Sequence, residues 1–392
     1  MRTASTFETV AETTNTLSQK RVVKLLRTDG AAEVETASAD HSNAVSDVGS
    51  RPSGPAGITA RPVRLRDVPG LARTANLLRL NQPEINLSDY SVTSEALRAI
   101  APGGRARPRL FTAFAEGKLA GFAEFRAALP DRRWHAIALG TTAEFDDPGP
   151  VADALLRHAV TAAGFRGVKR LYARVPSGTE IVNSFCKVGF SPFATETLFV
   201  AEEIEPRGQP ISVRRQEHTD TWAIHQLYSA TVPRQVQYAE ALTSHRWDLA
   251  RAEELARGSV RSGWLVDEGH AVAAYGRITR GRRAQTIELL YQPDHQEVLS
   301  GLIDALLNQV RAHMSGTTVH CVLRGYQAEA AKELERRGFE PVLEQDLLVK
   351  YTTATARAAQ FEPVPLHAEV IERLPKRVPS FLHQKPRDEA AG

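Results

Sequence analysis

The side chains that most often carry chemistry are sparse in this sequence, and their spacing matches none of the common mechanisms. The two cysteines, Cys186 and Cys321, stand far apart inside apolar segments. Two thiols make neither a disulfide framework nor a four-ligand zinc site, so a reducing, cytoplasmic compartment is expected. His218, His225 and His245 are scattered, and no HExxH, CxxC, GxSxG or P-loop pattern occurs, so no metal is expected. Trp222-x-x-x-Gln226 with Tyr228 reads as a helix face turned to the core. Basic residues cluster only at Arg132–Arg133 and Arg280–Gly281–Arg282–Arg283, short runs suited to solvated hairpin turns. The formal net charge is +3 over 392 residues, with no basic stripe interleaved with aromatics, so no nucleic acid partner is expected.

No run reaches the ~18 apolar residues of a membrane span, so no membrane partner is expected. The first residues lack an apolar core of signal length, and Glu8 and Glu12 argue against a transit peptide. The length suits two or three domains of ~100–200 residues each. Residues 1–56 are rich in Ser, Thr, Ala and Asp and read as a disordered leader, with one short amphipathic stretch at Lys20–Arg27. Residues 353–392 carry Pro363, Pro365, Pro375, Pro379 and Pro386, which rule out continuous helix and predict an extended tail.

Between these ends the chain repeats itself. Ile58-x-x-Arg61 with Asp67 matches Ile211-x-x-Arg214 with Asp220 at an offset of 153. Glu116-Gly117-Lys118 matches Glu268-Gly269-His270 at 152, and Asp153-Ala-Leu-Leu156 matches Asp304-Ala-Leu-Leu307 at 151. Gly189-Phe190-x-Pro192 matches Gly338-Phe339-x-Pro341 at 149. Four matches in one order mark a repeat the size of a domain, far longer than the ~20–50 residues of a solenoid unit. The Pro/Gly stretch Pro206–Pro210 divides the repeats.

Each repeat shows the same succession of elements. An opening strand (Ile58–Leu65; Ile211–Arg215) leads to a helix that Asp67 or Asp220 could cap. A hairpin follows, turning at Gly117 or Gly269, and then a further strand (His135–Thr141; Thr286–Tyr291). The next helix is long. In the second repeat its stripe of Val298, Leu299, Leu302, Ile303, Leu306, Leu307 and Val310 must face a sheet. A strand, a helix stopped by Gly189 or Gly338, and a last strand through Phe199 or Leu348 complete the unit. The order predicts an α/β (α+β) fold with a mixed sheet covered by helices.

This order, with Gly in the hairpin turn and Gly-Phe-x-Pro near each end, resembles the GNAT acetyltransferase superfamily over residues 57–203 and 210–352. The most specific likeness is that of Phe185-Cys-Lys-Val-Gly-Phe190 and Leu334-Glu-Arg-Arg-Gly-Phe339 to the family's Tyr-x-Lys-x-Gly-Phe. The resemblance implies two tandem GNAT-like domains, 57–205 and 206–352. It also implies transfer of an acetyl group from acetyl-CoA to a small-molecule or peptide amine acceptor. The family binds the pyrophosphate of acetyl-CoA where the long helix begins, through Arg/Gln-x-x-Gly-x-Gly/Ala. Glycines there let the backbone approach closely, and helix N–H groups face the anion.

In the first repeat that loop is Asp146-Asp147-Pro148-Gly149-Pro150-Val151-Ala152, in which prolines remove donors and carboxylates repel phosphate. The second repeat reads Gln296-Glu297-Val298-Leu299-Ser300-Gly301, keeping the first and last family positions when counted from Pro293. Counted from Leu306–Leu307, Gly301 takes the middle position instead. These six residues are the candidate acetyl-CoA site; a plain helix start capped by Asp294 is the other reading. Glu288 stands where the family often places its general base, and Ala138 is its counterpart. The family's proton-donating Tyr is replaced by Phe185 and Leu334, leaving Tyr326 or Tyr291 nearby. Segments Leu77–Arg109 and Thr231–Ser262 would form the acceptor wall. Two functions stay open: an acetyltransferase whose second repeat is active, and an inactive tandem pair that binds or scaffolds. An open or a side-chain-filled loop at Asp294–Gly301 separates them.

Overall fold

The structure, a computed structural model, describes residues 57–352 apart from 75, 88, 102–107, 129–132, 143–147, 209–210, 250–258, 270 and 314–316. The expected leader and tail, Arg132, Asp146 and Asp147 lie outside the described residues. The first repeat runs β1 (Ile58–Pro62), α1 (Val68–Leu71), β2 (Asn76–Arg79), α2 (Gln82–Ile85), α3 (Val92–Ile100), β3 (Arg109–Ala115), β4 (Lys118–Ala128), β5 (Arg133–Thr141), α4 (Pro148–Phe165), β6 (Arg170–Pro176), α5 (Glu180–Lys187) and β7 (Ser191–Ala201). The second runs β8 (Arg214–Arg215), α6 (Thr221–Thr231), α7 (Arg234–Glu240), β9 (Val260–Glu268), β10 (Ala271–Arg280), β11 (Ala284–Tyr291), α8 (Gln296–Arg311), β12 (Thr318–Arg324), α9 (Ala328–Glu335) and β13 (Glu340–Tyr351).

Local chemistry recurs between the repeats. The Arg61–Asp67 pair at 2.7 Å and the Arg214–Asp220 pair at 2.8 Å explain why those residues repeat together. Both aspartates stand at the N-cap positions of α1 and α6 as expected, but neither side chain makes a cap bond there, because the guanidinium and the backbone N–H of Arg64 or Glu217 (2.7 and 2.6 Å) already hold it. Gly189 and Gly338 end α5 and α9 at φ of 87° and 91°, where a Cβ would be strained. Trp222 departs from the expected core-facing position and is 62% exposed, whereas Tyr228 on the same helix is buried.

All strands join one mixed sheet in the order β1-β3-β4-β5-β6-β13-β7-β12-β11-β10-β9-β8, with β2 branching from β5. The last strand of each repeat does not close its own half. β13 lies antiparallel to β6, and β7 lies antiparallel to β12. β7 and β13 then pair with each other, Glu196 directly opposite Gln345. These two are 149 residues apart, the offset of the Gly-Phe motifs, so an approximate two-fold axis passes between them. The exchange covers the strand edges that β6 and β12 would otherwise expose.

One sheet face carries α4 and α8. The predicted α8 stripe is buried from Leu299 to Val310, each large side chain contributing about 1.5–3 kcal/mol. The other face carries α6 and the segment through Trp247, which pack on Leu265, Val272 and Tyr275. Among the described residues no helix is long and apolar enough to cross a membrane.

Candidate functional site

In both repeats the parallel strand pair at the centre opens into a V. β11 and β12 pair only over Ala284–Ile287 and Thr318–Cys321, although β11 runs on to Tyr291 and β12 to Arg324. β5 and β6 pair only over Arg133–His135 and Arg170–Tyr172. Beyond these points a strand edge is left without its neighbour. In the first repeat the chain fills the gap itself: β2 pairs antiparallel with β5, Asn76↔Thr141 through Arg79↔Ala138. Leu80 continues the ladder by donating its N–H to the Ile137 carbonyl at 2.8 Å. Among the described residues no strand enters the second gap. The antiparallel register with β10 turns the backbone groups of Leu289 and Tyr291 toward it. A side chain meets them there, with Gln327 Nε2 donating to the Leu289 carbonyl at 3.0 Å. Gln327 Oε1 accepts from the Arg324 N–H, also at 3.0 Å. A small void of about 20 Å³ lies beside Tyr291, Pro293 and Tyr326.

The expected acetyl-CoA segment divides at its middle. Gln296 and Glu297 are exposed and Val298 half-buried at the first turn of α8, preceded by His295 rather than Asp294 at the cap. Leu299 is buried in the core. The Ser300 hydroxyl accepts from Arg337 Nη2 at 2.8 Å and its carbonyl accepts at 3.2 Å. A Cβ on Gly301 would lie 3.1 Å from Ile211 Cβ and Cγ1, so this glycine makes room for a core side chain. Arg337 is itself fixed by Asp304, whose carboxylate also accepts the N–H groups of Arg207 and Gly208 at 3.1 Å.

Glu288 lies on β11 facing the other side of the sheet. Arg246 Nη2 donates to its oxygens at 3.0 and 3.2 Å, and Arg277 Nη2 donates to it as well. Burial would raise its carboxyl pKa, but these two guanidiniums and the nearby Arg261 hold it well below the usual carboxylate range. A carboxylate so acidic is a feeble proton acceptor, and the geometry speaks against the general-base role that the sequence suggested.

Glu288 belongs to a larger chamber. A cavity of about 190 Å³ sits over β7 and β13 and takes its walls from both repeats. Arg133, His135, Tyr172 and Arg174 come from the first, Tyr228, Glu240, Arg246, Trp247 and Arg324 from the second. Fully buried Glu196 lies between Arg174 Nε at 3.1 Å and Arg324 Nη1 at 3.3 Å. Arg324 Nη2 reaches Glu240 at 2.7 Å, and the Tyr228 hydroxyl donates to the other Glu240 oxygen at 2.9 Å. Arg133 donates to the carbonyls of Glu240 and Ala241, tying the first repeat to the end of α7. His135 stacks on Tyr172 with centroids 5.2 Å apart. Burial pushes its ring pKa down to about 4, and Arg174, Arg133 and Arg246 add to the effect. Burial pushes the Tyr326 phenol up to about 12, so it keeps its proton near neutrality. Tyr326 and Gln327 line both the chamber and the gap, making them the partition between the two.

Apart from Glu288, Tyr326 and Tyr228, sequence reasoning missed this chamber, and Arg133, expected in a solvated turn, is buried in its wall. One signal was present: Arg277 interrupts the apolar run of β10 at a position with no exposed surface. A charge inside a buried strand calls for a partner. Glu124, its counterpart across the repeat, sits in a separate buried cluster, where Tyr90 donates to it at 2.8 Å and Arg126 Nε at 2.9 Å.

No family model matches the chain, and no curated protein matches it. Solved structures similar to it include GNAT acetyltransferases. The tandem GNAT protein of the clavulanic acid biosynthesis pathway is 13% identical, with 76% of this chain and 99% of that one covered and a TM-score of 0.47. A GCN5-related N-acetyltransferase from Sphaerobacter thermophilus is 12% identical over 77% of this chain and 98% of that one, at 0.48. A GNAT-family acetyltransferase from Colwellia psychrerythraea is 10% identical over 75% and 99%, at 0.38. At such identity no residue role passes from one chain to the other.

Proposed function

We propose that this protein is an acetyl-CoA-dependent N-acyltransferase whose second repeat, 206–352, holds the thioester, while the first, 57–205, serves as a closed structural partner. The observation that carries the reading is the contrast between the two gaps. In the first repeat the strand edge is consumed by β2; in the second, Leu289 and Tyr291 present theirs to a gap where the Gln327 side chain bonds the Leu289 carbonyl. The pantetheine arm of acetyl-CoA has two amides, which can pair with such an edge as an added strand would. Gln327 must swing aside for it. The first turn of α8 at Gln296, Glu297 and Val298 is left for the pyrophosphate, while Leu299, Ser300 and Gly301 are committed to packing. Catalysis rests on placing the amine against the thioester, with Tyr326 as the proton donor to the departing thiolate. The free thiols Cys186 and Cys321 suit the cytoplasm.

Calorimetric titration of the whole chain with acetyl-CoA tests this. Saturable heat is expected, and its absence at about millimolar ligand would end the enzyme reading. A second reading, an inactive binding protein, draws on the ion-paired Glu288 and the occupied Ser300. It predicts ligand binding in the chamber with no thiol released from acetyl-CoA by any amine.

A further inference from the structure

The carboxylates that line the chamber are Glu196, Glu240 and Glu288, and both oxygens of each are already engaged. Arg174 and Arg324 hold those of Glu196 at 3.1 and 3.3 Å. Arg324 and the Tyr228 hydroxyl hold those of Glu240 at 2.7 and 2.9 Å. Arg246 spans both oxygens of Glu288, and Arg277 joins it on one. An ammonium ion would have to break one of these pairs to find a counter-ion, which leaves a buried charge without its partner. A ligand carboxylate fares no better, since Arg174, Arg246 and Arg324 already answer these acids. His135, also in the wall, is pushed down to about 4 by burial and is a feeble proton acceptor. What the chamber does offer is one unanswered hydroxyl. Thr286 is 5% exposed, and its Oγ1 has no hydrogen-bond partner among the described residues. Its neighbour Ile287 lies in the core under α8, so strand alternation turns Thr286 to the chamber, which it lines. Tyr172, Phe193, Trp247 and Tyr275 supply flat wall. The volume of about 190 Å³ exceeds the ~150 Å³ void that accommodates benzene, so the space suits a single-ring molecule.

We infer that the chamber, built jointly by both repeats, takes a single-ring arylamine that enters as the neutral amine, meets Thr286 through a polar group across its ring, and is acylated without a general base. The transfer step rests on the acyltransferase reading above; the binding of the arylamine does not. An aniline nitrogen shares its lone pair with the ring, so near neutrality it has no extra proton to lose and asks for no counter-ion. Thr286 and Leu289, both in the lining, stand three residues apart on β11, about 10 Å. A para-substituted ring spans that length, with one substituent on Thr286 Oγ1 and the amine at Tyr326 and Gln327, beside the Leu289 carbonyl. The nitrogen lone pair attacks the thioester carbonyl carbon. The C–N bond forms, and the C–S bond breaks with its electrons on sulfur. Once bonded to the acyl carbon the nitrogen is cationic and strongly acidic, and it sheds its proton to water. That proton replaces the one that Tyr326 gives to the thiolate, so amide and free CoA thiol are the products.

The test titrates 4-aminobenzyl alcohol, 4-(hydroxymethyl)benzylamine and 4-(hydroxymethyl)benzoate into the whole chain by calorimetry without acetyl-CoA. The three share a ring and a hydroxyl and are neutral, cationic and anionic near neutrality. The neutral amine should bind tighter than either ion by about tenfold or more. Thr286→Val keeps the side-chain shape and should weaken 4-aminobenzyl alcohol about 2- to 10-fold, the net worth of one hydrogen bond, while leaving 4-methylaniline unchanged. Phe193→Trp, which fills the chamber without touching an ion pair, should abolish binding of both anilines. An ion that binds as tightly as the neutral amine, equal losses for both anilines in Thr286→Val, or unchanged binding by Phe193→Trp would each overturn the assignment. A second arm adds acetyl-CoA and follows thiol release, expected with both anilines at a rate that stays level between about pH 6 and 9. A rate that climbs through that range, or faster release with the benzylamine, would overturn the base-free step. Arylamine binding with no acetyl-CoA heat would uphold the chamber and overturn the acyltransferase reading. Acetyl-CoA heat without arylamine binding would do the reverse.

Discussion

Asp304→Asn is the sharpest test of the claim that Leu299, Ser300 and Gly301, past the first turn of α8, are committed to packing. Asp304 has no exposed surface and Arg337 only 3%. The carboxylate takes four donors: Arg337 Nε and Nη2, each at 2.7 Å, and the N–H groups of Arg207 and Gly208, each at 3.1 Å. Asparagine keeps one carbonyl oxygen and turns an NH2 toward the remaining donors. Breaking one side of a buried pair costs about 3–5 kcal/mol. Glu333, 2.6 Å from Arg337 Nη1, still neutralises part of the guanidinium charge and puts the expected loss near about 3 kcal/mol. For a single unit spanning both repeats that is roughly 5 °C of melting temperature. The assay is thermal unfolding followed by circular dichroism, at pH 7 and again in acid. The native carboxyl is held below its ordinary value of 3.8, so its contribution is complete above that value and disappears as the pH falls through the native pKa. The gap between wild type and variant should therefore narrow in acid. A shift under about 2 °C at pH 7, or a gap that ignores pH, would refute the reasoning.

Gly301→Ala should cost about 1–2 kcal/mol, because overpacking against Ile211 outweighs the roughly 1 kcal/mol that alanine gains in a helix; adding Ile211→Ala should recover part of it in denaturant titrations. Were Gly301 a phosphate contact instead, acetyl-CoA affinity would fall and the second substitution would rescue nothing. Gln327→Ala removes the stopper from the gap and should tighten acetyl-CoA about 2- to 10-fold by calorimetry, the net worth of one hydrogen bond; weaker binding would show that Gln327 is a ligand contact. Burial raises the Glu124 carboxyl to about 7, so the native state holds a proton the unfolded chain has lost, and stability declines as the pH rises from 4.5 to about 7. In Glu124→Gln that decline should shrink by about 2–3 kcal/mol between pH 4.5 and 8, and equal pH profiles would count against the burial argument.

By itself the sequence determined the succession of strands and helices that the two repeats share, since these follow from periodicity and from turn residues at fixed spacing; β2, found in the first repeat alone, was not legible. The α8 stripe and the helix stops at Gly189 and Gly338 stand where those signals placed them. The repeated Arg and Asp of each opening segment were legible as a recurrence, although their role as ion pairs was not. Tertiary structure alone decided the site. Whether β7 completes its own half or the other depends on which edge it meets, and an alternating apolar strand fits either. Whether Gly301 faces an anion or Ile211 depends on how α8 lies against the segment entering β8, which no local pattern encodes. Glu288 became a poor base through Arg246 and Arg277, 42 and 11 residues away along the chain. Charge at a site is the sum over all groups that folding brings near, and a motif records only those adjacent in sequence.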